Sequence, residues 1–287
     1  MRIGKYELIV IETGHFALDG GAMFGVVPKI LWQKSNPADK NNRIDLALRS
    51  LLLKSDDLLI LIDTGLGNKF DDKFSERYKV DLSKHSINKS LKKNHLSPSD
   101  ITDVIITHLH FDHAGGTTCM DKGQLKLTFP NAIHHVQGEH WDWAFSPSEK
   151  DKASFIRKDF SLLENDNKIK KLSGPQELFP GIELLVMYGH TQGMQIVKIS
   201  DTDNTLLYCS DLIPTASHIP IPWVMAYDNN PLITMNEKSR LLQKAVDEKW
   251  TLFFEHDPFY QAALVSLTDK GFRMRKEVII NSTRKYS

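Results

Sequence analysis

This chain of 287 residues lacks several features that would assign it to a common class of protein. It has only two cysteines, Cys119 and Cys209, so it cannot rely on a disulfide framework, and we expect a reducing compartment. Its 36 basic and 36 acidic residues cancel, which argues against nucleic acid as a partner. No apolar run approaches the roughly 18 residues of a membrane span. Residues 1–12 lack the long apolar core of a signal peptide, so the expected location is cytoplasmic.

The most informative segment is the heptapeptide 107–113, Thr-His-Leu-His-Phe-Asp-His. Within six residues it places three imidazoles and a carboxylate, at His108, His110, Asp112 and His113. Neutral imidazole binds zinc and other divalent transition metals, and a carboxylate can complete such a site. A lone histidine is usually a structural side chain whose ring nitrogens are hydrogen-bonded. Four potential ligands this close together instead predict a metal site.

The spacing within this segment suggests two metals. His108 and His110 are two residues apart, so in an extended segment their side chains point the same way. Asp112 and His113 are adjacent, and they cannot share that direction unless the chain turns after Phe111. A turn there would present a second ligand pair beside the first. Gly115 and Gly116, which follow, permit the tight backbone that such a turn needs.

The segment before these ligands, residues 103–107, is short, continuous and β-branched, which is typical of a strand buried on both faces. Ligands at the end of such a strand lie on a rigid element, a usual place for a site in a layered α/β protein. Similar runs predict further strands at 182–188, 195–200, 205–210 and 251–254. We also expect a helix at 231–249, and a helical insertion over the site at 148–165.

The pattern His-x-His-x-Asp-His resembles the signature of the metallo-β-lactamase superfamily. That family implies three further ligands, each after a strand, and the chain offers one candidate for each. His190 lies in residues 189–193, which resemble the family's Gly-His-Thr-x-Gly turn, while Asp211 and His256 each end an apolar run. The resemblance implies an α/β fold, a four-layer αβ/βα sandwich, with residues 1–287 as a single hydrolase domain.

By this resemblance the site binds two divalent metal ions. The ligands of the first ion are His108, His110 and His190, and those of the second are Asp112, His113 and His256. Asp211 bridges the two ions together with a shared water. Zn²⁺ is the expected metal, and manganese, cobalt or iron would also suit these ligands. Asp63, in an Asp-Thr-Gly turn, resembles a residue that supports the ligands from behind in this family.

The chemistry implied by such a centre is hydrolysis. Two divalent ions would lower the pKa of the shared water toward neutrality, and the resulting bridging hydroxide would attack the substrate. Asp112 is the predicted catalytic carboxylate, which orients the hydroxide or passes on its proton. His134, His135 and His140 are not expected to be ligands, because the seven predicted ligands already fill two metal ions.

Three stretches, at 19–28, 189–193 and 211–215, resemble in particular the quorum-quenching N-acyl-homoserine lactonases and the methyl-parathion type of organophosphate hydrolase. The first stretch is apolar enough to hold an acyl chain. The residues expected to bind substrate there are Met23, Phe24 and Val26.

A second group of substrate-binding residues is expected after Asp211, where two prolines stiffen an apolar run. Trp223 and Met225 are predicted to form a pocket wall. Tyr227 is predicted to be catalytic as well as substrate-binding. By resemblance to the lactonases of this family, its hydroxyl would donate a hydrogen bond to the substrate carbonyl oxygen as negative charge grows there.

These observations predict a lactonase that acts on a small-molecule lactone or ester. Hydrolysis of phosphotriesters or other esters at the same site stays open as an alternative. A β-lactamase is disfavoured because such enzymes are usually exported. A thioesterase of the glyoxalase II type is disfavoured because only 31 residues (287 − 256) follow the last ligand. A diiron oxidoreductase is the alternative from another class, although no flavin domain is visible. Many relatives are dimers, so a homodimer is a further expectation.

Overall fold

A computed structural model of the protein, which describes residues 1–280, contains two seven-stranded β-sheets at its centre. The first sheet begins with antiparallel neighbours and becomes parallel from its fourth strand onward. Its strands, in spatial order, are Arg2–Ile3, Tyr6–Asp19, Arg43–Lys54, Leu59–Ile62, Asp103–Ile105, Ile133–Gln137 and Ile169–Leu172.

The second sheet is antiparallel except for one parallel pair at its centre, Thr205–Tyr208 beside Thr251–Phe253. The long helix Pro231–Asp247 lies between these two strands in the chain. The strands of this sheet, in spatial order, are Gln176–Phe179, Ile182–Met187, Met194–Ser200, Thr205–Tyr208, Thr251–Phe253, Ala262–Thr268 and Gly271–Val278. A separate hairpin pairs Thr118–Asp121 with Gln124–Leu127.

The two sheets pack face to face, and helices cover their outer faces. Leu51 and Leu53 in the first sheet belong to one buried cluster with Val197 of the second sheet. Leu52, between them, points the other way because strand side chains alternate, and it packs with Leu91 of a surface helix. The order helix, sheet, sheet, helix confirms the predicted four-layer αβ/βα sandwich.

Most helices are short, and only one exceeds eight residues in the part of the chain that the structure describes. Its first residue is a proline, which suits a helix start because its missing N–H would lack an intrahelical partner there. No helix between residues 1 and 280 is long and apolar enough to cross a membrane. The α-helices are Gly20–Phe24, Lys29–Trp32, Asp72–Arg77, Ile87–Lys93, Phe111–Ala114, Gly138–Phe145, Leu162–Asn165 and Pro231–Asp247.

The helix predicted over residues 148–165 is not continuous. The structure has 3₁₀ turns at Lys152–Ser154 and Arg157–Asp159, followed by the single α-turn Leu162–Asn165. The Ser148 hydroxyl donates a hydrogen bond to the Asp151 carboxylate, a local side-chain contact of the kind that competes with helical backbone bonding. The segment does lie over the predicted site, as its contacts below show.

Candidate metal centre

The seven predicted ligands meet where strands of both sheets end. Four of them, within residues 108–113, follow the first-sheet strand Asp103–Ile105. The other three follow second-sheet strands: His190 after Ile182–Met187, Asp211 after Thr205–Tyr208, and His256 after Thr251–Phe253. All seven side chains are buried. Each ligand is therefore held at the rigid end of a packed strand or in the turn beyond it.

The chain turns at the point that the spacing predicts. His110 is the last residue before the helix Phe111–Ala114, so Asp112 and His113 project from helical backbone. Gly115 and Gly116 then pass directly over the backbone of residues 64–66, and a Cβ atom on either glycine would collide with a carbonyl oxygen there. Only glycine permits this close approach of the two loops.

The ligand atoms form two groups. Those of His108, His110, His190 and Asp211 lie within 4.8 Å of one another. Those of Asp112, His113 and His256 form a second group of the same span. These groups correspond to the two ligand sets that the resemblance implied.

Asp211 lies between the two groups, with one oxygen toward each. Its Oδ2 atom is 3.2 Å from Nε2 of His190 and 3.8 Å from Nε2 of His108. Its Oδ1 atom is 3.3 Å from Nε2 of His256 and 3.5 Å from Nε2 of His113. Each oxygen of this carboxylate therefore faces one ligand group, so Asp211 could contribute to both metal sites.

The arrangement of ring nitrogens fits metal ions better than it fits hydrogen bonds. Nε2 of His256 lies only 3.1 Å from Nε2 of His113. The Nδ1 atom of His256 faces the carbonyl oxygen of Ala47, and that of His113 faces the carboxylate of Asp63, so each Nδ1 is the protonated nitrogen. With both rings neutral, two lone pairs face each other, and a bound cation would stabilise them. Nε2 of His108 is also buried with no hydrogen-bond partner among residues 1–280.

The electrostatics of the site favour bound cations. Burial and the neighbouring imidazoles hold the pKa of His108 and His110 well below the usual value, which keeps both rings in the neutral form that binds metal. Burial also opposes protonation of His256, but hydrogen bonding and the charge of Asp211 raise its pKa to about 9. Despite burial, the charges of His113 and His190 hold the pKa of Asp211 well below its usual value. The carboxylates thus attract positive charge into the centre.

Three buried carboxylates orient the ligand imidazoles from behind. The expected supporting residue, Asp63, accepts hydrogen bonds from the Thr107 backbone N–H and from His113 Nδ1, at 2.7 and 3.1 Å. Sequence reasoning missed the other two: Asp228, 2.9 Å from Nδ1 of His190, and Glu255, 3.0 Å from Nδ1 of His113. Glu255 is adjacent to a ligand in sequence, which was the one available signal.

The histidines that were not expected to be ligands have structural partners. His140 accepts a hydrogen bond from the backbone N–H of Leu109, inside the ligand segment, at 2.8 Å. Its other ring nitrogen donates to the carbonyl oxygen of Gln192 at 2.7 Å. His134 and His135 are buried, and they bond to Lys168 and Asp103 away from the cluster.

A cavity of about 210 Å³ opens onto the metal ligands. Part of its wall is apolar or aromatic, and part is polar and comes from residues 150–154. The apolar and aromatic part is formed by Leu18, Met23, Tyr78, Phe111, Met225 and Tyr227. The predicted catalytic carboxylate Asp112 also reaches the cavity, so a substrate held there would lie against it.

Three of the predicted substrate-binding residues are in this wall and three are not. Met23, Met225 and Tyr227 line the cavity. Phe24 instead points into the core, with its ring stacked 4.7 Å from that of His218, and Trp223 packs on the edge of Phe24 at 5.6 Å. Val26 is 88% exposed. The prediction is therefore corrected for Phe24, Val26 and Trp223, which do not line the cavity. For Phe24 the reason is local: Phe24 and Met23 are neighbours on a one-turn helix, so only one of them faces the cavity.

Comparison with known families agrees with this geometry. Residues 49–256 match the model of the metallo-beta-lactamase superfamily. The chain belongs to this superfamily. The match begins in the third strand of the first sheet and ends at the last predicted ligand, His256, so it includes all seven predicted ligands.

Several relatives cover nearly the whole chain. An N-acyl homoserine lactonase, AiiB of Agrobacterium fabrum, is 26% identical over 286 residues, which cover 93% of this chain and 98% of the relative. A probable metal-dependent hydrolase from Staphylococcus aureus has a similar structure, with a TM-score of 0.84, 31% identity, and coverage of 97% of this chain and 100% of the relative.

A third relative has been solved with a product bound. AidC, described as a dizinc quorum-quenching lactonase in complex with N-hexanoyl-L-homoserine, gives a TM-score of 0.80 at 25% identity, with coverage of 98% of this chain and 97% of the relative. Together with the ligand cluster, these similarities identify the protein as a metal-dependent hydrolase that binds divalent metal ions.

Proposed function

We propose that this hydrolase opens the ring of N-acyl-homoserine lactones and uses two zinc ions to do so. The observation that carries the proposal is the position of Tyr227, in the wall of a partly apolar cavity whose floor is the two-group metal centre. Relatives named as N-acyl homoserine lactonases support the substrate class. Ring opening would make the protein a quorum-quenching enzyme. Its two free cysteines fit the cytoplasm as its location.

Metal ions held by these residues would activate both reactants. Two divalent ions bound there would lower the pKa of a water and would polarise the lactone carbonyl oxygen. Five imidazoles and two carboxylates form a donor set that suits zinc. Asp112 reaches both the second ligand group and the cavity, so its carboxylate can accept the proton that leaves the attacking water.

Tyr227 would stabilise the negative charge that develops on the lactone oxygen. Its hydroxyl has no hydrogen-bond partner in the described part of the chain, so it is free to bind a substrate atom. Burial, with smaller contributions from nearby Tyr78, Asp19 and Asp112, raises the pKa of the Tyr227 hydroxyl. The phenol therefore keeps its proton at neutral pH and can donate it in a hydrogen bond.

The apolar part of the wall would hold the acyl chain. Leu18, Met23 and Met225 lie around the same cavity as the metal ligands. Methionine side chains adapt to ligands of different shape, which suits a flexible alkyl chain. A ring at the metals with a chain along this wall would place the scissile bond beside Tyr227.

The test uses purified protein whose metal content has been measured. Proton release would be followed with N-hexanoyl- and N-decanoyl-homoserine lactone, a phosphotriester and a cephalosporin. We expect rapid opening of a homoserine lactone by protein that holds about two metal ions per chain. Turnover of the phosphotriester but of neither lactone, by protein with the same metal content, would contradict the proposed substrate and favour a phosphotriesterase.

A further inference from the structure

Residues 150–155 form a segment that includes the polar part of the cavity wall and is fixed beside the first ligand group. Asp151 is 4% exposed, and its carboxylate accepts four hydrogen bonds. The donors are Trp143 Nε1 at 2.9 Å, Ser148 Oγ at 2.7 Å, Asn229 Nδ2 at 2.6 Å and Thr191 Oγ1 at 3.3 Å. Because Thr191 follows the ligand His190, this anchor joins the segment to the metal centre.

The other end of the segment contacts a ligand directly. The ring of Phe155 packs edge-on against that of His110, with 4.7 Å between centroids. Phe155 is 8% exposed, so this contact is part of the core. These two anchors, on Thr191 and on His110, leave the residues between Asp151 and Phe155 little freedom to move away from the cavity.

Lys150 reaches from this segment to the loop that carries Tyr227. Its ammonium donates hydrogen bonds to the carbonyl oxygens of Ala226 and Asp228, at 2.7 and 2.8 Å. An ammonium has three N–H donors, so these two contacts leave one for another acceptor. Lys150 also lines the cavity, next to the residue proposed to contact the lactone oxygen.

Ser154 adds a free hydroxyl to the same wall. It lines the cavity, and its Oγ atom forms no hydrogen bond with any other residue between 1 and 280. The hydroxyl can both donate and accept a hydrogen bond. The carboxylate of Asp151 already accepts four hydrogen bonds. Lys150 and Ser154 are therefore the polar groups of this segment that can still bind a ligand.

We propose that Lys150 and Ser154 recognise the amide of an N-acyl substrate: the ammonium donates to the amide carbonyl oxygen, and the hydroxyl accepts from the amide N–H. The inference rests on the proposed lactonase function and assigns its preference for N-acylated lactones to these two residues. An amide offers one acceptor beside one donor, which is the complement of this pair. A lactone with a plain alkyl chain would offer no partner to the Ser154 hydroxyl or to the third N–H of Lys150, so the effect of substituting either residue should discriminate between the two kinds of lactone.

The test compares two lactones with the same ring and equal chain length. N-hexanoyl-homoserine lactone has the amide, and α-heptyl-γ-butyrolactone lacks it. The metal-loaded wild type would be assayed beside Lys150→Met, Ser154→Ala and the control Lys152→Met. Lys152 lies in the same turn, but its ammonium pairs with Glu149 at the surface. On the N-acyl lactone we expect kcat/KM to fall roughly 10- to 100-fold in Lys150→Met and roughly 3- to 10-fold in Ser154→Ala, mainly through KM.

The alkyl lactone distinguishes a loss of amide recognition from a general structural effect of the substitutions. Its kcat/KM is expected to change little in Ser154→Ala and in the control. Equal losses on both lactones in both variants would show a merely structural role and would overturn the inference. So would a wild type that opens both lactones equally well, although the lactonase function would then stand. A wild type that opens neither lactone would overturn the proposed function and the inference together.

Discussion

The Nδ1 atom of His190 lies 2.9 Å from Oδ1 of Asp228, and both side chains are buried. This hydrogen bond fixes the proton on Nδ1 and presents the Nε2 lone pair to the metal centre. The other oxygen of Asp228 accepts from the backbone N–H of Met225 at 3.1 Å. One carboxylate therefore positions a metal ligand and also holds the loop that carries Tyr227.

Replacement of Asp228 by Ala should weaken metal binding, because His190 would lose the partner that sets its tautomer and orientation. We expect the affinity of the first metal site to fall by roughly 10- to 100-fold, as for other partners of ligating histidines. Competition with a chromophoric chelator would measure this affinity. Asp203→Asn, in an exposed turn, serves as the control. Wild-type affinity in Asp228→Ala would show that His190 needs no such partner.

Replacement of Asp211 by Asn should affect both metal ions, because its two oxygens face different ligand groups. We expect the bound metal to fall well below two ions per chain and the activity to fall by more than about a hundredfold. Asp112→Asn is the matched comparison, since Asp112 belongs to the second group alone and its loss should spare the first metal ion. Elemental analysis of both purified variants would decide. Two full metal sites in Asp211→Asn would refute the bridging role.

Removal of the Tyr227 hydroxyl should slow the reaction without weakening substrate binding to the same degree. If the hydroxyl acts on charge that grows in the transition state, Tyr227→Phe should lower kcat by roughly ten- to a thousandfold and change KM little. Steady-state kinetics would measure both values. Tyr78→Phe removes a hydroxyl from the same cavity wall and should have little effect. An unchanged kcat in Tyr227→Phe would leave the metals as the sole stabilisers of that charge.

The buried His218 should make the fold sensitive to mild acid. Burial lowers its pKa to about 3, and its Nε2 atom donates to the carbonyl oxygen of Met23 at 2.8 Å. In the unfolded chain an ordinary histidine binds a proton below about pH 6.5, so the unfolded state gains protons first and stability falls as pH drops from there toward 3. Between pH 7 and pH 5 this one side chain should cost about 2 kcal/mol of unfolding free energy.

Denaturant unfolding at pH 7 and pH 5 would test this. The wild type should lose more stability across that interval than His218→Gln, which cannot take up the proton. His95→Gln, at an exposed position, should lose as much as the wild type. Equal pH dependence in His218→Gln and the wild type would assign the acid sensitivity to other groups, such as the buried His134 and His140.

The four candidate ligands at 108–113 could be predicted from the residues themselves, whereas His190, Asp211 and His256 followed from the family resemblance, which led to apolar runs that end in a ligand-type residue. Such runs form buried strands, and the residue at the end of a buried strand has a nearly fixed position. The turn after Phe111 was predictable for a related reason, since adjacent ligands cannot share one direction along an extended chain. Both features depend only on neighbouring residues, so they can be predicted without knowledge of the tertiary structure.

The residues that support the ligands were not predictable in the same way. Asp228 is 38 positions from His190 in the chain, and its role depends on how a loop folds back over the site. The orientations of Phe24 and Trp223 could not be predicted either. A short apolar segment has the same pattern whether its side chains face a cavity or the core, and the helix Gly20–Phe24 is too short for its periodicity to decide.

The ligands come from both sheets, four from the first and three from the second. Ions bound there would join the two halves of the sandwich at its edge, in addition to the apolar interface between the sheets. Binding to the folded chain alone stabilises it by an amount that grows with free metal concentration. Metal supply in the cell would therefore set how long a molecule of this protein survives proteolysis, as well as how fast it turns over substrate.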